Sequence, residues 1–411
     1  MNLAMLIGGY GAGQGSIFLA QTWLVTQGEL ELLALFGTHF AFAMFGIIVV
    51  EAGSLTILAR HAASMEHGEE SAAVMWRTFW EMSVFRGFAA IIVIAGAIIF
   101  DLTMAASPFS RGYLLFAAPA FLFWALNAAG FLDGLRLSGI SGISGSIAYA
   151  ASALALIVVE DFPPDSAGMV LGGAFTAGYF LTVVVQFVAL RLVGWRVRFE
   201  KPTRKGIFAA GYGGLALLGG TLPGQLYYRA QLLMCSAWLG PGATALFIYV
   251  KQVVTAVVQL TGFIRRVEFP ALVQRLTKDT QSPIATIWKV QRKGTYVALA
   301  AAVCAFVAGI VLLYNPSEHF SLLGKYLLAY AASIALAGVS RAYEQGLAAT
   351  GKFGALFVRS FICTMIGLGT SFALARVIGV YAFALGDTLV VLFSIGTILF
   401  VLRNQKPTSV R

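Results

Sequence analysis

Gly134-Leu135-Arg136-Leu137-Ser138-Gly139-Ile140-Ser141-Gly142 and Gly346-Leu347-Ala348-Ala349-Thr350-Gly351-Lys352-Phe353-Gly354 spell one phrase twice, G-L-x-x-[ST]-G-x-x-G, 212 residues apart. Trp76 and Trp288 keep the same offset, and Tyr113-Leu114-Leu115 precedes Tyr326-Leu327-Leu328 by 213. The chain therefore reads as one unit of about 200 residues written twice. Both copies are built of apolar, membrane-length stretches. The repeat predicts an all-α membrane protein of two lobes, the plan of many transporters.

Composition points the same way. Of 411 residues, 59% are hydrophobic and 11% charged, where a soluble domain carries about 25% charged. Twelve stretches reach the length of about 20 residues that a spanning helix needs. They lie at 3–25, 31–58, 84–103, 112–132, 140–159, 168–193, 206–238, 242–264, 295–314, 320–343, 354–375 and 379–402. The seventh is overlong, and tilt or a break near Pro223-Gly224 would accommodate it. The first begins at Leu3 without a basic flank or an A-x-A site, so it is expected to be an anchor and not a cleaved leader. Cys235, Cys304 and Cys363 all fall in apolar stretches without metal-type spacing and are expected as small packing residues.

The placement of the charges sets the expected orientation. Basic residues crowd alternate connections: Arg191, Arg196, Arg198, Lys201, Arg204 and Lys205, then Arg265, Arg266, Arg275, Lys278, Lys289, Arg292 and Lys293. The opposite connections hold few. The positive-inside rule then puts both termini in the cytoplasm. Six crossings per half make the repeat parallel: an N-lobe at 1–193, a basic cytoplasmic linker at 194–205, a C-lobe at 206–402 and a tail at 403–411. The connections 59–83 and 265–294 scatter apolar residues among charges, and are expected as helices lying on the membrane surface. Glu66, Glu69 and Glu70 are expected to form a solvated turn.

Polar residues inside apolar helices are costly and each needs a reason. Thr244, Lys251, Thr255, Gln259 and Gly262 share one helical face, as do Gln225, Tyr228 and Arg229. Such stripes predict a wet central cavity. Lys251 lies about ten residues into its helix, too deep to snorkel easily. Its repeat partner is His39, so the expected cavity is cationic from both lobes. Arg229 adds a planar fork suited to phosphate or carboxylate. The expected substrate contacts are thus Arg229, Lys251, His39, Gln225, Tyr228 and Gln259. The other placement for Arg229 and Lys251 is an ion pair with an acid from another helix, such as Glu51 or Asp387. Glu51, near the cytoplasmic end of the second helix, is a candidate carrier of a coupling proton, because burial raises a carboxylate's pKa. Arg341 and Glu344, three apart, are expected to pair.

No nucleophile triad, HExxH or phosphate loop is present; Gly8 to Gly15 lacks the preceding strand and lysine of a phosphate loop. A secondary transporter is therefore expected, not an enzyme, with no cofactor and with membrane potential, H+ or Na+ as drive. A major-facilitator transporter is an alternative by helix number, but Leu58-Ala59-Arg60-His61-Ala62-Ala63 stands where its G-x-L-a-D-R-x-G-R connection belongs.

Four short motifs carry a family resemblance. Val50-Glu51-Ala52-Gly53 with Arg60 is similar to the D-x-G-L…R pattern of bacterial polysaccharide (O-antigen type) flippases. Gln231-Leu232-Leu233 through Leu239-Gly240-Pro241 and Tyr249 resembles their D-x-x-L-L…L-G-P…G-x-Y hairpin. Glu268-Phe269-Pro270 with Arg275 resembles their F-P…R segment, and the repeated glycine turn also fits. Glu51 and Gln231 occupy two usual aspartate positions. These flippases belong to the multidrug/oligosaccharidyl-lipid/polysaccharide exporter superfamily. The resemblance implies a V-shaped bundle of two six-helix lobes. It also implies transfer of an undecaprenyl-diphosphate-linked glycan across the membrane, with membrane lipids and glycosyltransferase or polymerase machinery as partners and no nucleic acid. A multidrug cation antiporter of the same superfamily is the rival reading.

Overall fold

In the computed structural model the described residues are 2–27, 29–65, 69–103, 107–278, 282–316 and 318–403; they are helical with short connections and contain no strand. Twelve helices are long and apolar enough to cross a bilayer, and the chain is a multi-pass membrane protein. Residues 404–411, Glu66 and the side chain of Glu69 lie outside the described residues. The chain forms two compact units, Met1–Leu215 and Ala216–Arg411.

In the first unit α1 (Asn2–Gln27) packs along α7 (Ser138–Val158). Its buried stripe is Leu6, Gly9, Gly13, Ile17, Ala20 and Leu24. A Cβ on Gly9 would lie 2.7 Å from the backbone nitrogen of Ile143, and one on Gly142 would lie 2.8 Å from Leu6 Cα. Small residues on both helices thus let the backbones touch, the usual source of helix affinity in lipid. Gly139 and Gly142 of the first glycine phrase serve this contact, while Gly346 of the second faces Ile287. In the second unit Ser360 of α12 (Phe353–Ile378) donates to the Gly220 carbonyl at 2.6 Å, in the corresponding place.

Two consecutive left-handed residues, Ala52 (φ 42) and Gly53 (φ 68), separate α2 (Leu30–Glu51) from α3 (Ser54–Ser64). Glycine carries this conformation at no steric cost. Then α4 (Glu69–Thr103) runs unbroken for 35 residues, where a surface helix was expected over 59–83. The reason is local. No proline interrupts 69–103, and Trp76 is fully buried among Phe79, Phe131 and Phe187.

The fourth span is broken into α5 (Pro108–Trp124) and α6 (Ala129–Gly134). Its freed backbone groups are met by side chains. Arg86 of α4, fully buried, donates to the Asn127 carbonyl (2.8 Å) and to the hydroxyls of Ser83 (3.1 Å) and Ser54 (3.4 Å). Gln186 of α8 (Pro164–Leu192) accepts from Ala128 N at 2.8 Å. The 194–205 stretch is pinned along α4: Trp80 donates to the Arg198 carbonyl, and Glu81 accepts from Thr203 Oγ1 at 2.6 Å.

The long segment α9 (Arg204–Lys278) carries two spans, Arg204–Gly240 and Leu246–Lys278. Its non-helical residue is Gly240 (φ 81), while Pro223 and Gly224 stay inside the helix. The second unit is completed by α10 (Pro283–Leu313), α11 (Glu318–Ala349), α12 and α13 (Tyr381–Arg403).

Candidate functional site

The second unit buries a charge pair that five of its membrane segments build together. Lys251, on the second span of α9, is 8% exposed, and its Nζ donates to Asp387 Oδ2 of α13 at 2.5 Å. The other carboxylate oxygen accepts from Tyr227 Oη (2.8 Å) and Gln231 Nε2 (3.1 Å), both on the first span of α9. Gln231 also donates to Tyr227 Oη at 2.6 Å. Tyr227 and Gln231 are four apart and share a helical face. Gly367 of α12 makes room for the tyrosine, since a Cβ there would lie 2.6 Å from its ring.

Around the ammonium stand four aromatic rings. Its Nζ lies 5.2 Å from the Tyr330 centroid, 5.6 Å from Phe247, 5.9 Å from Tyr227 and 6.0 Å from Tyr228. This is an aromatic cage of the kind that recognises ammonium ions, and here the chain supplies the ammonium itself. Burying both charges is costly, and the three donors on Asp387 with the cage around Lys251 are what offset that cost. Two further polar atoms of this cluster, Tyr330 Oη and Gln231 Oε1, are buried with no hydrogen bond to the described residues. They leave the cluster able to accept or donate more bonds than the protein uses.

Of the two placements open for Lys251, the ion pair with Asp387 is the one present. Tyr228 belongs to the cage, half-buried and stacked on Phe247. Arg229 stands outside it, exposed between exposed Leu226 and Leu233, with no ion-pair partner among the described residues. Gln259 is exposed two turns beyond Lys251, in line with exposed Gln252 and Thr255. The side chain of Gln225 lies outside the described residues.

The first unit answers this register differently. His39 Nδ1 donates to the Leu35 carbonyl (2.7 Å), and Nε2 shares a hydrogen bond with Ser110 Oγ (2.8 Å). Phe109 and Tyr113 pack on the imidazole. The repeat position of Asp387 is Phe175, so an aromatic stands where the second unit has its acid. Glu51 ends α2 and its charge acts on buried Arg86.

A second charged cluster lies in the second unit. Glu344 of α11 accepts from Arg359 Nη1 of α12 at 2.5 Å and from Ser340 at 3.1 Å, and pairs with Arg341 at 3.4 Å. Sequence spacing anticipates Arg341 with Glu344 but not Arg359. A lone arginine inside the apolar run Phe353 to Leu368 is the signal that could have found it, and Arg86 carries the same signal. Among the described residues no group of histidine, cysteine or acid side chains is placed to hold a metal.

Neither a family sequence profile nor a curated protein matches this chain. Solved structures do. A MATE transporter in the bent conformation superposes with a TM-score of 0.74 at 12% identity, over 98% of this chain and 94% of the other. The Vibrio cholerae MATE transporter VcmN, also bent, gives 0.66 at 12% over 98% and 96%. A Pyrococcus furiosus transporter of the MOP superfamily, described as having a binding pocket of reverse polarity that suggests a different function, gives 0.62 at 12% over 98% and 95%. At these identities the likeness establishes the fold, which is that of MATE transporters.

Proposed function

We propose that this chain is a MOP-superfamily exporter that moves an anionic, lipid-linked oligosaccharide, of the undecaprenyl-diphosphate class, from the cytoplasmic to the outer face of a bacterial inner membrane. The carrying observation is how the acids of the second unit are answered. Its membrane spans hold three carboxylates, Glu268, Glu344 and Asp387. Asp387 is held by Lys251, and Glu344 by two arginines. Glu268 lies within electrostatic reach of Arg265 and Lys293. A cationic drug finds neither Asp387 nor Glu344 free there, while Glu268 keeps Oε2 buried without a hydrogen-bond partner among the described residues. Arg229 is a surplus cation on an exposed helix face, which suits a diphosphate.

The energetics agree. The head of such a lipid is too polar to cross about 30 Å of hydrocarbon unaided. Moving one negative charge out across 100 mV, inside negative, is favourable by about 2.3 kcal/mol. The potential therefore assists export of a diphosphate, with proton or sodium exchange at Glu51 as a further source of drive. Both termini lie in the cytoplasm on this reading, and glycosyltransferases and polymerases are the natural partners.

The test is surface display of glycan in cells that depend on this chain. Arg229→Ala lowers display at least tenfold, with protein in the membrane unchanged. Normal display, together with extrusion of cationic dyes by the wild type, would favour the multidrug antiporter instead.

A further inference from the structure

The end of the second unit where α12 begins and α13 finishes holds a crevice of about 660 Å³. Its walls are Val358 and Ile362 of α12 and Phe393 and Phe400 of α13. Gly396 opens it: a Cβ built there meets nothing within 4 Å. The two helices are antiparallel across the turn at Gly379, so Gly354 and Val401, which both line the crevice, lie at the same end of it.

That end is basic. Lys352 lies two residues before Gly354, and Arg403 two residues after Val401; both are exposed and neither meets an acid among the described residues. In the wall Arg359 spends Nη1 on Glu344 and Ser394, while its Nε is buried without a partner. The result is an apolar slot inside two membrane spans with two uncompensated cations at its mouth. Chains of any membrane lipid fit the slot; the mouth selects the head.

We propose that this crevice is a binding site for a phosphate-bearing, net-anionic membrane lipid, its head between Lys352 and Arg403 and one chain along Val358, Ile362, Phe393 and Phe400. The site is separate from the Lys251–Asp387 cluster and stands whatever cargo the protein carries.

The test is native mass spectrometry of the full-length chain in detergent, titrated with phosphatidylglycerol or phosphatidylcholine. Wild type retains one phosphatidylglycerol about tenfold more tightly than phosphatidylcholine, as two cations near an anionic head imply. Lys352→Ala with Arg403→Ala removes that preference. Gly396→Phe on α13 fills the slot and abolishes tight retention of both lipids, while Gly369→Phe, at an open glycine of α12 outside the crevice, leaves retention intact. Equal retention of the two lipids by wild type overturns the proposal, as does undiminished phosphatidylglycerol retention in the double alanine variant. Should Gly396→Phe not fold, the double alanine variant decides the matter alone.

Discussion

Replacing Lys251 by methionine strands a buried carboxylate. Asp387 keeps Tyr227 and Gln231 but loses its only paired cation among the described residues, the group bonded at 2.5 Å. Removing one partner of a buried pair costs about 3–5 kcal/mol. The cage loses its ammonium as well, worth about 0.5–2 kcal/mol. For a domain of about 200 residues each kcal/mol moves Tm by about 2–4 °C. Lys251→Met is therefore expected to lower the apparent Tm in detergent by roughly 10 °C. Adding Asp387→Leu removes the stranded charge, and apolar replacements of buried pairs are often neutral or better. The double variant should return to within about 3 °C of wild type, and a thermal-shift measurement with all four members of the cycle gives the coupling directly. The reasoning fails if Lys251→Met is as stable as wild type, or if the double variant is no better than the single. If the pair serves transport as well as packing, the double variant is stable and inactive.

Other outcomes can be checked in the same preparations. Gly367→Ala drives a methyl into the Tyr227 ring and should cost about 1–3 kcal/mol, seen as a lower Tm and blunted transport; unchanged values would mean that Tyr227 moves freely. Arg86→Met leaves the Asn127 carbonyl without its donor in the broken fourth span, and should cost about 1–3 kcal/mol in thermal unfolding. Arg229→Ala touches no partner among the described residues, so its stability should stay within about 0.5 kcal/mol of wild type in thermal unfolding, which makes it a clean probe of transport.

Much of the architecture is legible in the sequence because it rests on one-dimensional signals. Span length and the repeated glycines report membrane crossings and close helix contacts without any knowledge of neighbours. Gly139 and Gly142 illustrate it: their spacing marks the face that meets α1. The partners of buried charges are another matter. Lys251 and Asp387 are 136 residues apart, and Arg359 reaches Glu344 from a different helix. No periodicity connects them, since pairing depends on how helices pack. Nothing in the sequence tells whether a deep lysine faces substrate or an internal acid, and only the aromatic company of Tyr227, Tyr228 and Phe247, each near a polar neighbour, hints at a cage. The expected surface helix over 59–83 shows the converse limit. Charges scattered among apolar residues suggested an interface, but Met75, Trp76, Phe79 and Met82 are buried in protein, with Val74 left exposed.

The sign of the cargo is the central claim, and purified chain in liposomes with an imposed membrane potential tests it directly. With a fluorescent polyprenyl-diphosphate oligosaccharide in one arm and a lipophilic cationic dye in the other, the account predicts potential-dependent translocation of the diphosphate and none of the dye above protein-free vesicles. Translocation of the dye alone would contradict it.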